Sequence, residues 1–288
     1  MPDGVSRQGQ HHRIREMLAV TCIWATAIVV SLTFGWILLD LLRHGLAHLS
    51  WAYLVESPSD AGRSGGIAPI IASTFLIVAV CMSIAVPIGI GTALLLAEYS
   101  VARSRFGRFV RRSLDALAAV PSIVFGLFGS TLFCIYLGMG FSILAGGLTL
   151  ACMVLPIFIR TAEEGFRSVP DEYRRGAAAL GISRSATLFK IIMPSAMPAL
   201  VAGFVLGIGR ALAETAALIF TSGYVDRMPE SLFDSGRAMS VHIYDLAMNV
   251  PGGGKSAYRT ALVLVAILLL INGSASWLMH RWVRHGAT

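Results

Sequence analysis

The chain has 288 residues, 56% hydrophobic and only 14% charged, with a formal net charge of +7 and a mean hydropathy of +0.72. Soluble domains run at about 45–50% apolar and about 25% charged, so this balance excludes a soluble enzyme, a disordered tail and a nucleic-acid-binding domain. The positive residues fall between apolar runs, a placement that suits membrane orientation and not DNA binding.

Six runs are close to the roughly 20 apolar residues that a membrane span needs. In chain order they are 17–42, 67–97, 113–137, 141–159, 197–222 and 259–280. The first is too long for the apolar part of a cleaved leader and lacks a small-residue exit, so it reads as a span. In the second, Pro87, Gly89 and Gly91 predict a kink or a start that lies along the surface. Cys22, Cys81, Cys134 and Cys152 all sit inside apolar runs without metal spacing, as small buried hydrophobes do.

Segments 1–16, 98–112, 160–196 and 281–288 hold 16 Lys and Arg, against 5 in the alternating segments 43–66, 138–140 and 223–258. The split predicts an even number of spans with both termini in the cytoplasm. The organisation expected is a tail at 1–16, a first helix with an external loop at 17–66, a membrane core at 67–280 and a tail at 281–288. Segment 98–112 is short and basic, as an anchor at anionic headgroups would be.

The loop at 160–196 is too well punctuated to be a tail. Ser168 and Asp171 fit a capping box, with Ser168 as N-cap. Asp171 and Glu172 put acids in a first turn, and Ala177, Ala178 and Ala179 favour helix. Gly181 is a stop, Ser183 a second N-cap, and Pro194 is expected to close the second helix before span five. Helix, glycine turn and helix make a knob with a small-residue tip. Such a knob either receives a partner or is a folded loop without one.

Arg210 and Glu214 are the ionisable residues deep in a span. A charge near the bilayer centre costs about 2.5–3.5 kcal/mol, so something must offset it. Four residues apart on a helix, the two share one face. They read either as a pore-lining cation and its moderator or as a permanent ion pair between helices. Arg suits an oxyanion because its planar fork donates two hydrogen bonds at once. Gly203, Gly207 and Gly209 allow close helix approach before the pair. After Pro121, the hydroxyls of Ser122, Ser130 and Thr131 either line a path or bond their own helix.

Other motifs carry less. In 250–256, VPGGGKS ends like a phosphate-binding loop, but Asn249 stands where the first glycine belongs. His11 and His12 lack further ligands, as do His242 and Asp245, three apart in a predicted loop. No catalytic residues, metal or cofactor are expected, and an intramembrane enzyme would need a nucleophile or metal beside Arg210 and Glu214.

The run 175–194, RGAAALGISRSATLFKIIMP, resembles the EAA loop of ABC importer permeases. Ala177, Gly181, Ile191 and Pro194 match that pattern, whereas Arg175, Gly176 and Met193 depart from it. VPIGIGTALLLAEY (86–99), LAAVPSIVFGLFG (117–129), LPIFIRTAEEGFRSVP (155–170), GRALAETAALIFT (209–221) and HIYDLAMNVPGG (242–253) resemble the A-type permease of the phosphate-specific (Pst-type) ABC importer. The resemblance implies an all-α fold of six membrane helices with the type I importer (MetI-like) architecture, in a bacterial inner membrane. It implies a coupling loop at 168–194, with Ala177, Ala178, Gly181, Ile191 and Pro194 seated on an ATPase dimer. A second related permease and an extracytoplasmic phosphate-binding protein would complete the assembly. Arg210, Glu214, Thr215 and Ser122 would lie along the phosphate path. Permeases for sulfate or molybdate share the loop and remain the alternative.

Overall fold

A computed structural model describes residues 4–47, 49–99 and 104–285, and the chain is all-α apart from one minimal hairpin. The side chains of His11 and His12, and residues 100–103 of the basic segment, lie outside the described part. The elements are α1 (Gly4–Leu46), α2 (Trp51–Val55), β1 (Pro58–Ser59) paired antiparallel with β2 (Ser64–Gly65), and α3 (Ala68–Leu94). Then come α4 (Arg105–Ala118), α5 (Ser122–Gly129), α6 (Ile143–Ser168), α7 (Asp171–Ala179), α8 (Arg184–Thr187) and α9 (Met193–Ala213). The chain ends with α10 (Ala216–Ile219), α11 (Met239–Met248) and α12 (Gly254–His285). Three stretches, Leu95–Tyr99, Ser130–Tyr136 and Leu188–Ile192, wind as π-helix and prolong α3, α5 and α8.

Among the described residues, five helices are long and apolar enough to cross a membrane: Arg15–Leu46, Ala68–Tyr99, Ile143–Ser168, Arg184–Ala213 and Gly254–Trp277. The sixth expected span, 113–137, is not one straight helix. Its start belongs to α4, and α4 meets Ser122–Tyr136 at a bend of 100°. Pro121 explains the break, since it disfavours helix for the residue before it and has no N–H to donate. α4 is amphipathic, with Arg105, Arg108 and Arg112 exposed on one side and Phe106 and Phe109 exposed beside them. That pattern belongs to a helix lying in an interface.

Helix ends differ from expectation in four places. α6 runs on to Ser168 and not to 159, because its charges find partners: Arg160 pairs with Asp115, and Glu163 with Arg111 and Arg167. Ser168 is therefore no N-cap; its hydroxyl donates to Gly165 O, and Pro170 precedes α7 instead. Pro194 does not end a helix either. Arg184–Ala213 is continuous, and the π-turn at Leu188–Ile192, where Met193 N–H reaches back to Leu188 O, accommodates the proline. Span five stops at Ala213, with Glu214 extended at φ −75°, ψ 129°. The Gly181 turn and the Ser183 cap stand as read: Gly181 has φ +69°, and Ser183 Oγ accepts from Ala186 N–H.

The centre of the bundle is α3 against α6, with α9 packed on the same helix. Glycine sets the distance. A Cβ at Gly89 would run into the Phe158 ring, and one at Gly207 would come within 3.0 Å of Val154 Cγ1. Gly209 faces open space. One apolar core joins α3, α6, the end of α9 and α11; a second, around Leu96, Phe166, Leu188 and Ile192, sits toward the Gly181 end. α1 packs chiefly along α12.

Replacing Gly89 with Leu will destabilise the protein by about 1–3 kcal/mol through overpacking. Gly91→Leu, on the same helix with nothing within 4 Å, will be tolerated. Melting of both variants in detergent distinguishes them; equal melting temperatures would sink the packing account.

Candidate functional site

One region of polar chemistry gathers at the Gly181 end, and two more lie toward the other end of the continuous Arg184–Ala213 helix. The knob is built from α7, the Gly181 turn and α8. Ala177 is buried and holds α7 to the bundle, while Ala178, Leu180 and Gly181 are exposed. Leu180 is 79% exposed, and Tyr173 on α7 and Phe189 after α8 are exposed at 52% and 61%. Ile191 is half-buried and Pro194 exposed on the helix that continues into α9. Among the described residues Arg175, Arg184 and Lys190 are exposed without a partner. The knob thus presents cations around an apolar tip.

Behind the knob, Arg174 is fully bonded. Its Nε and Nη2 donate to the two Glu98 carboxylate oxygens at 3.1 and 2.6 Å. Nη1 donates to Val169 O (2.7 Å) and Asp171 Oδ1 (3.2 Å), and Nη2 also donates to Phe166 O (2.9 Å). Deeper, buried Glu163 accepts from Arg111 Nε at 2.7 Å and lies 2.9 Å from Arg167 Nη2. Both of these arginines also donate to Leu96 O, at 3.1 and 3.4 Å. Sequence reasoning missed Glu98, Arg174 and Glu163. The signal available was an acid at the close of an apolar run and another inside a segment taken as loop.

The break after α9 is the second region. Arg210, in the last turn of α9, is exposed and has no hydrogen bond or ion pair among the described residues. Glu214 is not on the same helical face, because the backbone has left the helix. Its carboxylate accepts from Ala217 N–H at 3.3 Å and caps α10, and its carbonyl accepts from the Ser240 hydroxyl. The permanent Arg210–Glu214 pair is therefore not formed. Thr215 is half-buried at the N-cap of α10, and its carbonyl takes the Ile219 N–H. α5 packs against α10, so close at Gly126 that a Cβ there would meet Ala217 Cα at 2.8 Å. Ser122, half-buried, opens α5 one turn before that contact. Thr131 bonds its own helix through Leu127 O.

At the far end, His242 and Asp245 lie one turn apart in α11, not in a loop. Arg237 binds both: its Nη1 is 3.3 Å from Asp245 Oδ2 and 3.4 Å from His242 Nδ1. Arginine only donates, so Nδ1 accepts and the neutral ring carries its proton on Nε2, which is buried without an acceptor. Among the described residues no group of three or more His, Cys, Asp or Glu side chains is placed to hold a metal. The Gly254-Lys255-Ser256 stretch opens α12, and the buried Ser256 hydroxyl donates to Arg63 O.

Burial first, and then Arg237, push His242 down to about 4, with Asp245 opposing. The folded ring thus stays neutral where the unfolded ring, near 6.5, takes up a proton. Stability is complete above pH 6.5 and is lost as pH falls toward 4, by about 1.4 kcal/mol per unit. Melting temperatures of the wild type and His242→Gln between pH 7 and 4.5 will converge or cross as pH falls. Parallel curves would sink this assignment.

A family model described as "Binding-protein-dependent transport system inner membrane component" matches residues 85–285. The chain is 31% identical over 270 residues to "Phosphate transport system permease protein PstA 1" of Mycobacterium tuberculosis, covering 92% of this chain and 88% of that one. It is 29% identical over 283 residues to "Probable ABC transporter permease protein YqgI" of Bacillus subtilis, covering 93% and 96%. Among solved structures, a bacterial ABC transporter for import of the acidic polysaccharide alginate aligns with a TM-score of 0.65 at 14% identity, over 96% of this chain and 98% of that one. The inward-facing MetNI methionine ABC transporter aligns with a TM-score of 0.61 at 16% identity, over 75% and 94%. At these identities the structural likeness is one of fold.

Proposed function

Since this chain belongs to the family of binding-protein-dependent transport system inner membrane components, a membrane subunit of an ATP-driven importer and not an enzyme, we propose that the solute it passes is inorganic phosphate. Permeases of this kind work with a separate ATPase and a solute-binding protein. The observation that carries the phosphate reading is Arg210: an exposed guanidinium without a partner, in the last turn before α9 breaks. A planar fork of donors fits a tetrahedral oxyanion, and a single cation at a surface holds it weakly enough to let go. Glu214, turned back to cap α10, leaves that cation free. In this reading Ser122, which opens α5, and Thr215, at the N-cap of α10, also line the path. Relatives named as phosphate transport permeases, about 30% identical over most of the chain, support the same solute.

In this reading both termini are cytoplasmic, and the 168–194 loop seats on the ATPase. A related permease supplies the other half of the path, and an extracytoplasmic phosphate-binding protein delivers the anion. Leu180 enters an apolar pocket of the ATPase, and Arg175, Arg184 and Lys190 meet carboxylates on its rim. Ala177, Ala178, Gly181, Ile191 and Pro194 shape the knob that fits there.

Two measurements test this. In the reconstituted complex, Arg210→Ala will lower ATP-dependent uptake of labelled phosphate at least about tenfold, the loss of one charge-assisted contact, while assembly survives. Normal uptake would remove Arg210 from the path, and preferred uptake of sulfate or molybdate would reassign the solute. Gly181→Trp, strained at positive φ and bulky at the tip, will cost the ATPase its hold on the membrane subunits. Unchanged co-purification would end the docking assignment.

A further inference from the structure

The ATPase in this reading pushes on α7, which the chain joins to the bundle at both ends. Backward, Val169 and Pro170 link it to α6, and forward, Gly181 and α8 lead into the continuous helix of α9. A third route is not covalent. Arg174 has five N–H donors, and all five are engaged. Three bonds hold Arg174 to its own surroundings at Phe166, Val169 and Asp171. The remaining two form a bidentate grip on Glu98, which is 76 residues away and belongs to the last turn of α3. A bidentate arginine–carboxylate pair fixes both distance and orientation, so it transmits movement in more than one direction.

That last turn is itself a junction. Its π-winding sets carbonyls off the usual ladder, and Leu96 O accepts from Arg111 of α4 and Arg167 of α6. The same two arginines hold the buried Glu163. The Leu95–Tyr99 turn therefore joins α3, α4, α6 and α7 at one place. α3 and α6 in turn form the centre of the bundle.

We infer that Glu98 is a positioning residue for transport: through Arg174 it carries displacement of the coupling helix α7 directly into α3. The inference rests on the docking of an ATPase at α7. Without the grip, α7 moves with the ATPase and still pulls on α6 and α9 through the chain, but α3 follows only through its packing on them. ATP hydrolysis then continues while transport falls behind it.

The test uses the full complex of both permeases, ATPase and binding protein in vesicles, and reads ATP hydrolysed per phosphate delivered. Glu98→Gln keeps the shape of the side chain and removes its charge. ATPase co-purification will be unchanged, and phosphate delivered per ATP will fall about tenfold, within the range seen for coupling networks. Arg174→Gln will give the same loss, and the double variant no more than either alone, because one contact has been removed twice. An unchanged ratio in Glu98→Gln, or losses that multiply in the double variant, would overturn the inference. Should Glu98→Gln fail to assemble, Glu98→Asp retains the charge on a shorter stem. Failure to assemble there too would make the pair a folding contact and overturn the inference as well. If Gly181→Trp leaves the ATPase bound, it is the docking reading that has failed. If the complex carries another oxyanion, the same ratio is read with that anion.

Discussion

The approach of α3 to α6 is the constraint on which the remaining architecture depends. It requires small residues at facing positions, Gly89 under the Phe158 ring and Gly147 under Val80. In a bilayer there is no hydrophobic gain from bringing two apolar helices together, so such contact must come from van der Waals fit. Once these helices are close, α9 lies against α6 through Gly203 and Gly207. The break at Glu214 then falls beside α5 and α11, where the Ser240 hydroxyl secures its carbonyl. Arg210 is left exposed on the surface of this subunit.

The charged side chains divide by task. Glu98, Arg111, Glu163, Arg167 and Arg174 have partners and tie helix ends together at the Gly181 end. Among the described residues Arg175, Arg184, Lys190 and Arg210 have none and are exposed. Burying a carboxylate such as Glu163 is costly unless its oxygens are matched, and two guanidinium groups match it here. The result is a densely bonded platform behind an exposed knob.

The sequence made the helical count and the knob visible because both depend on local chemistry: long apolar runs, a glycine at positive φ and a serine cap. It hid the features that depend on distant partners. The helix past 159 is kept by Arg111, which stands 52 residues from Glu163, and no local pattern reports that pairing. The capping box at Ser168 failed because Pro170, two residues on, fixes where α7 begins. For Arg210 and Glu214 the helical phase was sound only while the helix lasted, and it ends at Ala213. Residue types around the break after α9 were legible; their relative placement was not.

The π-turns have a consequence for how this chain tolerates insertions and deletions. Deleting a residue from an ordinary α-helical stretch turns everything beyond it by about 100°. A π-turn holds one residue of slack, and removing it restores α-winding without rotating the rest of the helix. The chain carries that slack at Leu95–Tyr99 and Leu188–Ile192, and in both places it is already in use. At the first it offers Leu96 O to two arginines, and at the second it makes room for Pro194. Length variation is thus closed to the last turn of α3, where a deletion would withdraw Leu96 O from two arginines, and to the helix that leaves the knob toward α9, where it would remove the room taken by Pro194.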